Sequence, residues 1–282
     1  MVKFGPGGNS ESFYEQGYKL SVDMPGWLRK MGLDAYEYQC NKGVKIGRKT
    51  AEEMGRNAAL NNIFLSIHAP YYINMPSPEE EKRINSVRYI FETLEAAKWM
   101  GAKRIVVHVG SYSKVDKKWA LETSAGVLVK TLQIAKENSL DDIAICPEVL
   151  GKVNQIGTLD EILALCSLDE KLIPTVDFGH LHARGMGALK EEEDFIKVFE
   201  KIEKVLGYER LRRLHIHFSR IEYGKGGEKR HRVLDEVEYG PDFLLFARAM
   251  RKKRMDAVVI CESRELMAED ALKMKRIYEE LE

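Results

Sequence analysis

The chain's seven histidines gather about short apolar runs: His68 and His108 end two of them, His180 and His182 follow a third, His215 and His217 lie in a fourth and His231 in the loop after it. None falls in a segment whose pattern predicts a helix. Acids join them at the same points: Glu148 closes "IAICPEV", Asp177 ends "LIPTVD", and Glu262 sits in "AVVICES". Neutral imidazole and carboxylate are the usual ligands of zinc, manganese and iron. Acids gathered in one place repel unless cations balance them. The set is too large for a single tetrahedral ion. It suits two or three divalent metals that share bridging carboxylates, with Glu148 and Glu262 as the bridges. Such clusters activate water and clamp the attacking and leaving oxygens of phosphoryl chemistry. One histidine alone is most often a hydrogen-bonded core residue; the set as a whole points to metal. For His182 and His217 a supporting or purely structural role stays open. His215 and His217 are two apart on one strand, share a face, and either reaches a metal.

These side chains need a scaffold that brings many strand ends to one rim. Eight apolar runs alternate with amphipathic segments: residues 2–8, 35–40, 63–70, 104–111, 143–149, 172–179, 211–219 and 257–263. The runs are continuously apolar, as in parallel strands buried on both faces. Between them lie helical patterns such as "SPEEEKRINSVRYIFETLEAAKWMG", with acids in the first turn and Gly101 at the stop. Eight strand–helix pairs predict an α/β fold, a (β/α)8 TIM barrel in one domain over 1–282, with its site at the C-terminal ends of the strands.

The 282 residues hold 44 Lys+Arg against 44 Asp+Glu, a balance that gives no general attraction to nucleic acid or an anionic membrane. No apolar run approaches the ~20 residues of a membrane span. Cys40, Cys146, Cys166 and Cys261 form no CxxC pair and read as reduced, buried thiols of a cytoplasmic protein. No obligate protein partner is evident. "FGPGG" near the start lacks GxGxxG spacing and reads as a tight turn. Tyr71 and Tyr72, just past His68, stack on a base or sugar or else pack on the rim. The basic stretches "NKGVKIGRK" and "GKGGEKRHR", the second carrying Lys229 and Arg230, lie on the same face and suit a phosphate-bearing ligand.

The motifs "SIHAPYYINM", "VVHVGS", "PEV", "VDFGHLHARG", "LHIHFS", the "RH" at 230–231 and "ICES" resemble the endonuclease IV family of apurinic/apyrimidinic endonucleases, within the xylose-isomerase-like barrels. The resemblance runs along nearly the whole chain. It implies a trinuclear zinc cluster that cleaves DNA 5′ to an abasic site. Carried over, His68 and His108 would hold one metal, with Glu148 bridging to a second completed by Asp177, His215 and Glu262. His180 and His231 would hold the third. The family also supplies an aspartate to that third metal from a D-x-H motif, where this chain has Lys229. An ammonium offers a metal no lone pair. Glu228, one residue earlier, is the nearest substitute if the backbone shifts.

The reading that follows is a metal-dependent phosphodiesterase on abasic DNA, using two or three Zn²⁺, with Mn²⁺ or Fe²⁺ as alternatives. Glu148 and Glu262 are its catalytic acids, and Tyr71, Tyr72, Lys229 and Arg230 touch substrate. The competing reading is a sugar isomerase or epimerase, in which one metal grips vicinal oxygens and Glu148 and Glu262 move the proton. A third is a barrel that binds metal or nucleic acid without turnover.

Overall fold

The computed structural model describes residues 1–112 and 114–281. In chain order its strands longer than two residues are β1 (Lys3–Pro6), β2 (Ala35–Gln39), β3 (Phe64–His68), β4 (Arg104–Val107), β5 (Ala144–Pro147), β6 (Thr175–Asp177), β7 (His215–Phe218), β8 (Arg220–Gly224), β9 (Gly227–Arg232) and β10 (Val258–Cys261). All but β8 and β9 are barrel staves. Parallel ladders join them in two arcs, β1-β10-β7-β6 and β2-β3-β4-β5. Single parallel bridges close the ring, Gly7 to Glu37 on one side and Ile145 to Leu172 and Glu148 to Thr175 on the other. Closure brings β1 hard against β2: a Cβ on Gly5 would lie 1.8 Å from the Ala35 carbonyl oxygen, so only glycine fits there. Helices follow the staves and cover the ring, among them Arg48–Asn61, Glu80–Met100, Lys117–Glu137, Glu192–Leu206, Phe243–Lys252 and Met267–Glu279. This is the TIM barrel that the alternation predicts.

The staves are short, and their ends are set by capping rather than by composition. The run 172–179 yields only Thr175–Asp177, because Asp177 turns from strand residue to helix cap: its Oδ1 accepts the His180 backbone N–H at 2.6 Å. The helix it starts, Phe178–Arg184, contains both His180 and His182, contrary to the expectation that no histidine is helical. Seven residues are too few to show a helical period in sequence. Phe178 anchors this helix, its ring 4.4 Å from Phe246 and 5.6 Å from Phe199 by centroids. Truncating a buried phenylalanine costs roughly 3–5 kcal/mol, and here would also loosen His180. Similarly, Tyr208–Arg212 is helical, so the seventh stave begins only at His215. The long helix Glu80–Met100 ends as expected at Gly101, which takes φ +68°.

The basic stretch after β7 is a hairpin, β8–β9, folded over the barrel mouth. Its register slips: Glu222 faces Arg230 while Tyr223 faces Glu228. Lys229 is the extra residue, and such a bulge re-aims its neighbours. No helix among the described residues is long and apolar enough to cross a membrane. All four cysteines are free and buried.

Candidate metal centre

The stave ends enclose a cavity of about 1110 Å³, lined in part by His68, His108, His180, Glu228, His231 and Glu262. Among the described residues four groups of donors meet metal-ligand spacing: one, Glu37, His215 and His217, lies deepest, and three adjoining groups face the cavity or lie just beneath it. His68, His108 and Glu148 form one; Glu148, Asp177, His217 and Glu262 the second; Asp177, His180 and His231 the third. Glu148 belongs to the first and second groups, and Asp177 to the second and third. The Nε2 atoms of His68 and His108 lie 3.3 and 3.0 Å from Glu148 Oε2. His217 Nδ1 is 3.2 Å from Glu148 Oε1 and 3.5 Å from Glu262 Oε1. His180 Nδ1 is 3.5 Å from Asp177 Oδ2.

Hydrogen bonds from behind fix which ring nitrogen His68, His180 and His231 present. His68 Nδ1 donates to its neighbour's carbonyl, Ala69 O, at 2.9 Å. His180 Nδ1 donates to Val149 O at 2.9 Å. His231 Nδ1 pairs with the Ser219 hydroxyl at 2.8 Å. Each leaves Nε2 to the cavity, the arrangement that prepares imidazole for a metal.

The bulge at Lys229 decides where the side chains of the hairpin go. Glu228 turns inward, with Oε2 3.4 Å from His180 Nε2 and Oε1 4.0 Å from His231 Nε2. Gly151 makes room for it: a Cβ there would lie 2.6 Å from Glu228 Cβ and 3.0 Å from His180 Cδ2. Lys229 points outward, its side chain 59% exposed, with Nζ 3.8 Å from Glu222 Oε1. One residue of slippage thus brings the carboxylate of 228, rather than the side chain of 229, beside His180 and His231.

Other expected residues separate. His215 lies deeper than its neighbour His217, with Nε2 2.8 Å from Glu37 Oε2 and no carboxylate of the second group beside it. Two residues along a strand are roughly 6.6 Å, so only His217 reaches the level of Glu148 at the stave ends. His182 is outside the centre, edge-on to Tyr223 at 5.6 Å, with Nδ1 accepting the Leu189 N–H at 3.2 Å. Tyr71 stands at the cavity mouth near His68 and His108, at 5.9 and 6.0 Å between rings. Tyr72 packs on Tyr89 instead, at 6.0 Å. Lys229 and Arg230 line the cavity rim. Sequence reading gave no role to Glu37, which is fully buried in β2. The available signal was a charged residue inside an apolar stave, an expensive placement unless it is used.

Among the described residues, every ion-pair partner of Glu148, Asp177 and Glu262 is an imidazole. Burial would raise the Glu148 pKa, but His108 and His217 outweigh it and hold the carboxyl well below the usual range. Glu262 falls to about 2, burial again being outweighed by His217. Burial lifts Asp177, and its Oδ2 finds no hydrogen-bond donor. His180 rises to about 9 despite burial, under the pull of Asp177, Glu228 and Glu148. Without metal, protons on imidazoles neutralise the acids. Divalent ions can displace them, and the donor set, its sharing and the unpartnered Asp177 oxygen fit such ions.

A closed eight-stave barrel with such a cluster at its C-terminal rim defines the class to which the chain can belong. A family model described as the xylose isomerase-like TIM barrel matches residues 25–278, and the chain belongs to that family. An uncharacterized protein of Methanocaldococcus jannaschii is 36% identical over 281 residues, covering 100% of this chain and 98% of its own. A probable endonuclease 4 of Aster yellows witches'-broom phytoplasma is 26% identical over 183 residues, 64% of this chain and 60% of that protein. The match thus spans about three fifths of that relative's length. Among solved structures, endonuclease IV from Thermus thermophilus superposes with a TM-score of 0.68 at 19% identity, covering 93% of this chain and 94% of that one. A D-tagatose 3-epimerase-like protein gives 0.69 at 21%, with 88% of each chain covered. At such identities the structural likeness shows the fold.

Proposed function

We propose that this protein is a metal-dependent phosphodiesterase that cuts the DNA backbone 5′ to abasic sites. The observation that carries the reading is the sharing of Glu148 and Asp177 among three donor groups, with the bulged Glu228 3.4 Å from His180 of the third. A mononuclear site would have no use for His68, His108, His180 and His231. The similarity to probable endonuclease 4 proteins points the same way.

Bound in these groups, divalent cations would supply Lewis acidity and positive charge against the charge that builds on the phosphoryl and leaving oxygens. Zinc suits the imidazole-rich set; manganese or iron would serve in the same positions. His68, His108 and Glu148 would hold one ion, Glu148, Asp177, His217 and Glu262 a second, and Asp177, His180, His231 and Glu228 a third. Glu262, 18% exposed and facing the cavity, orients the attacking water and takes its proton. The new bond forms between water oxygen and phosphorus while the bond to the 3′ oxygen breaks in line. Glu148, buried beneath, holds the cluster. Arg230 and Lys229 meet backbone phosphates at the rim, and Tyr71 stacks on the opened sugar or its neighbouring base.

The test is incubation with duplex DNA carrying one tetrahydrofuran abasic analogue, with zinc or manganese present. The expected product is a single nick 5′ to the lesion with a 3′ hydroxyl, lost on chelation. An intact duplex under both metals would overturn the reading.

One observation favours a second reading. Glu148, Asp177, His217 and Glu262 form a four-ligand site by themselves, with two glutamates able to exchange a proton across a bound ketose. Exchange of solvent deuterium into a ketose, without any DNA nick, would establish it.

A further inference from the structure

The imidazoles of His68, His180 and His231 are held from behind by a carbonyl or a hydroxyl, but His217 is held by a carboxylate. Its Nε2 lies 3.0 Å from Glu37 Oε1, across the barrel interior, while its Nδ1 faces Glu148 and Glu262. Glu37 is itself pinned. Its Oε2 accepts from Ser66 Oγ at 2.8 Å and from His215 Nε2 at 2.8 Å. All four residues are fully buried. Glu37 Oε1 and His217 Nε2 are both buried and neither makes a hydrogen bond in this arrangement, although they lie 3.0 Å apart as an ion pair.

We propose that Glu37 is the positioning residue of the metal centre: it accepts the His217 Nε2–H and so commits Nδ1, the opposite nitrogen from the one used by its neighbours, to the metal. His215 belongs to the same device. Its role is to orient Glu37, to which its Nε2 is bonded at 2.8 Å. A carboxylate behind an imidazole fixes its tautomer and strengthens it as a donor, and loss of such a partner weakens metal affinity about 10–100-fold. The inference rests on the metal-centre reading but not on the DNA reaction.

The experiment follows the histidine rings directly. Protein labelled with ¹⁵N-histidine, loaded with zinc, is compared by long-range ¹H–¹⁵N correlation with Glu37→Gln and Glu37→Leu. In the native protein His217 is expected to carry its proton on Nε2 and its metal on Nδ1. In both variants zinc affinity, read by chelator competition, falls about 10–100-fold, and the visible spectrum of the cobalt-substituted protein shifts. Ser66→Ala, which removes one bond to Glu37 and no charge, gives a smaller change in the same direction and serves if the Glu37 variants do not fold. Metal on His217 Nε2, or zinc affinity and cobalt spectrum unchanged in Glu37→Gln, would overturn the proposal. Tight zinc at His217 Nδ1 in a protein that never nicks abasic DNA would leave it standing and sink only the proposed reaction.

Discussion

Glu148→Ala lowers abasic-site cleavage by about 10⁴-fold, equivalent to roughly 5 kcal/mol of transition-state stabilisation. The size follows from position. Glu148 lies within 3.3 Å of imidazoles from three different segments, His68, His108 and His217, and belongs to two of the donor groups. Its removal opens both, so bound metal falls together with activity. The fold should lose stability as well. The imidazoles hold the Glu148 carboxyl well below its usual range, so their pairing stabilises the metal-free protein at neutral pH, and relief of the repulsion with Asp177 and Glu262 offsets only part of that. Thermal unfolding of the metal-free variant below that of the metal-free native protein, beside the kinetic loss, is the expected pair of results. A variant that retains a tenth of the activity would remove Glu148 from the centre.

Glu262→Gln is the second large effect, and it separates chemistry from binding. The amide keeps the size and an oxygen donor but cannot take a proton. Cleavage falls about 10³-fold in kcat, roughly 4 kcal/mol, with KM nearly unchanged. The native carboxyl, held at about 2 by His217, is already ionised throughout the neutral range. No loss of activity between pH 8 and pH 5 should therefore trace to Glu262 itself; acid inactivation should instead track loss of metal as imidazoles protonate. Steady-state kinetics across that range, with metal content measured at each pH, check both statements. A KM effect with intact kcat would make Glu262 a binding group.

The scaffold was legible because the barrel's rules are strong. Eight continuous apolar runs separated by amphipathic stretches leave few other arrangements, and the barrel fixes which end of each run carries the chemistry. His68, His108, Glu148 and Glu262 close their runs in the sequence and stand together in space. Four features were hidden, each for a physical reason. Asp177 caps a helix too short to announce itself, so His180 and His182 are helical. His215 and His217 share a face, and sequence has no measure of depth along it; only the level of Glu148 distinguishes them. Glu37 reads as one polar residue in a strand, because its partners His215 and His217 come from 178 and 180 positions away. The bulge at Lys229 is of the same kind. The sequence shows a lysine where the family it resembles has a carboxylate, but a one-residue slip of a hairpin is visible only in the register.

The role given to Glu228 at a third metal rests on that slip, and counting metals is its sharpest test. Native protein, Glu228→Ala and Lys229→Ala would each be purified without added metal and analysed for metal per chain. About three ions are expected in the native protein and in Lys229→Ala, and about two in Glu228→Ala. One ion in all three proteins would contradict the trinuclear centre and leave the four-ligand site of Glu148, Asp177, His217 and Glu262 as the whole of it.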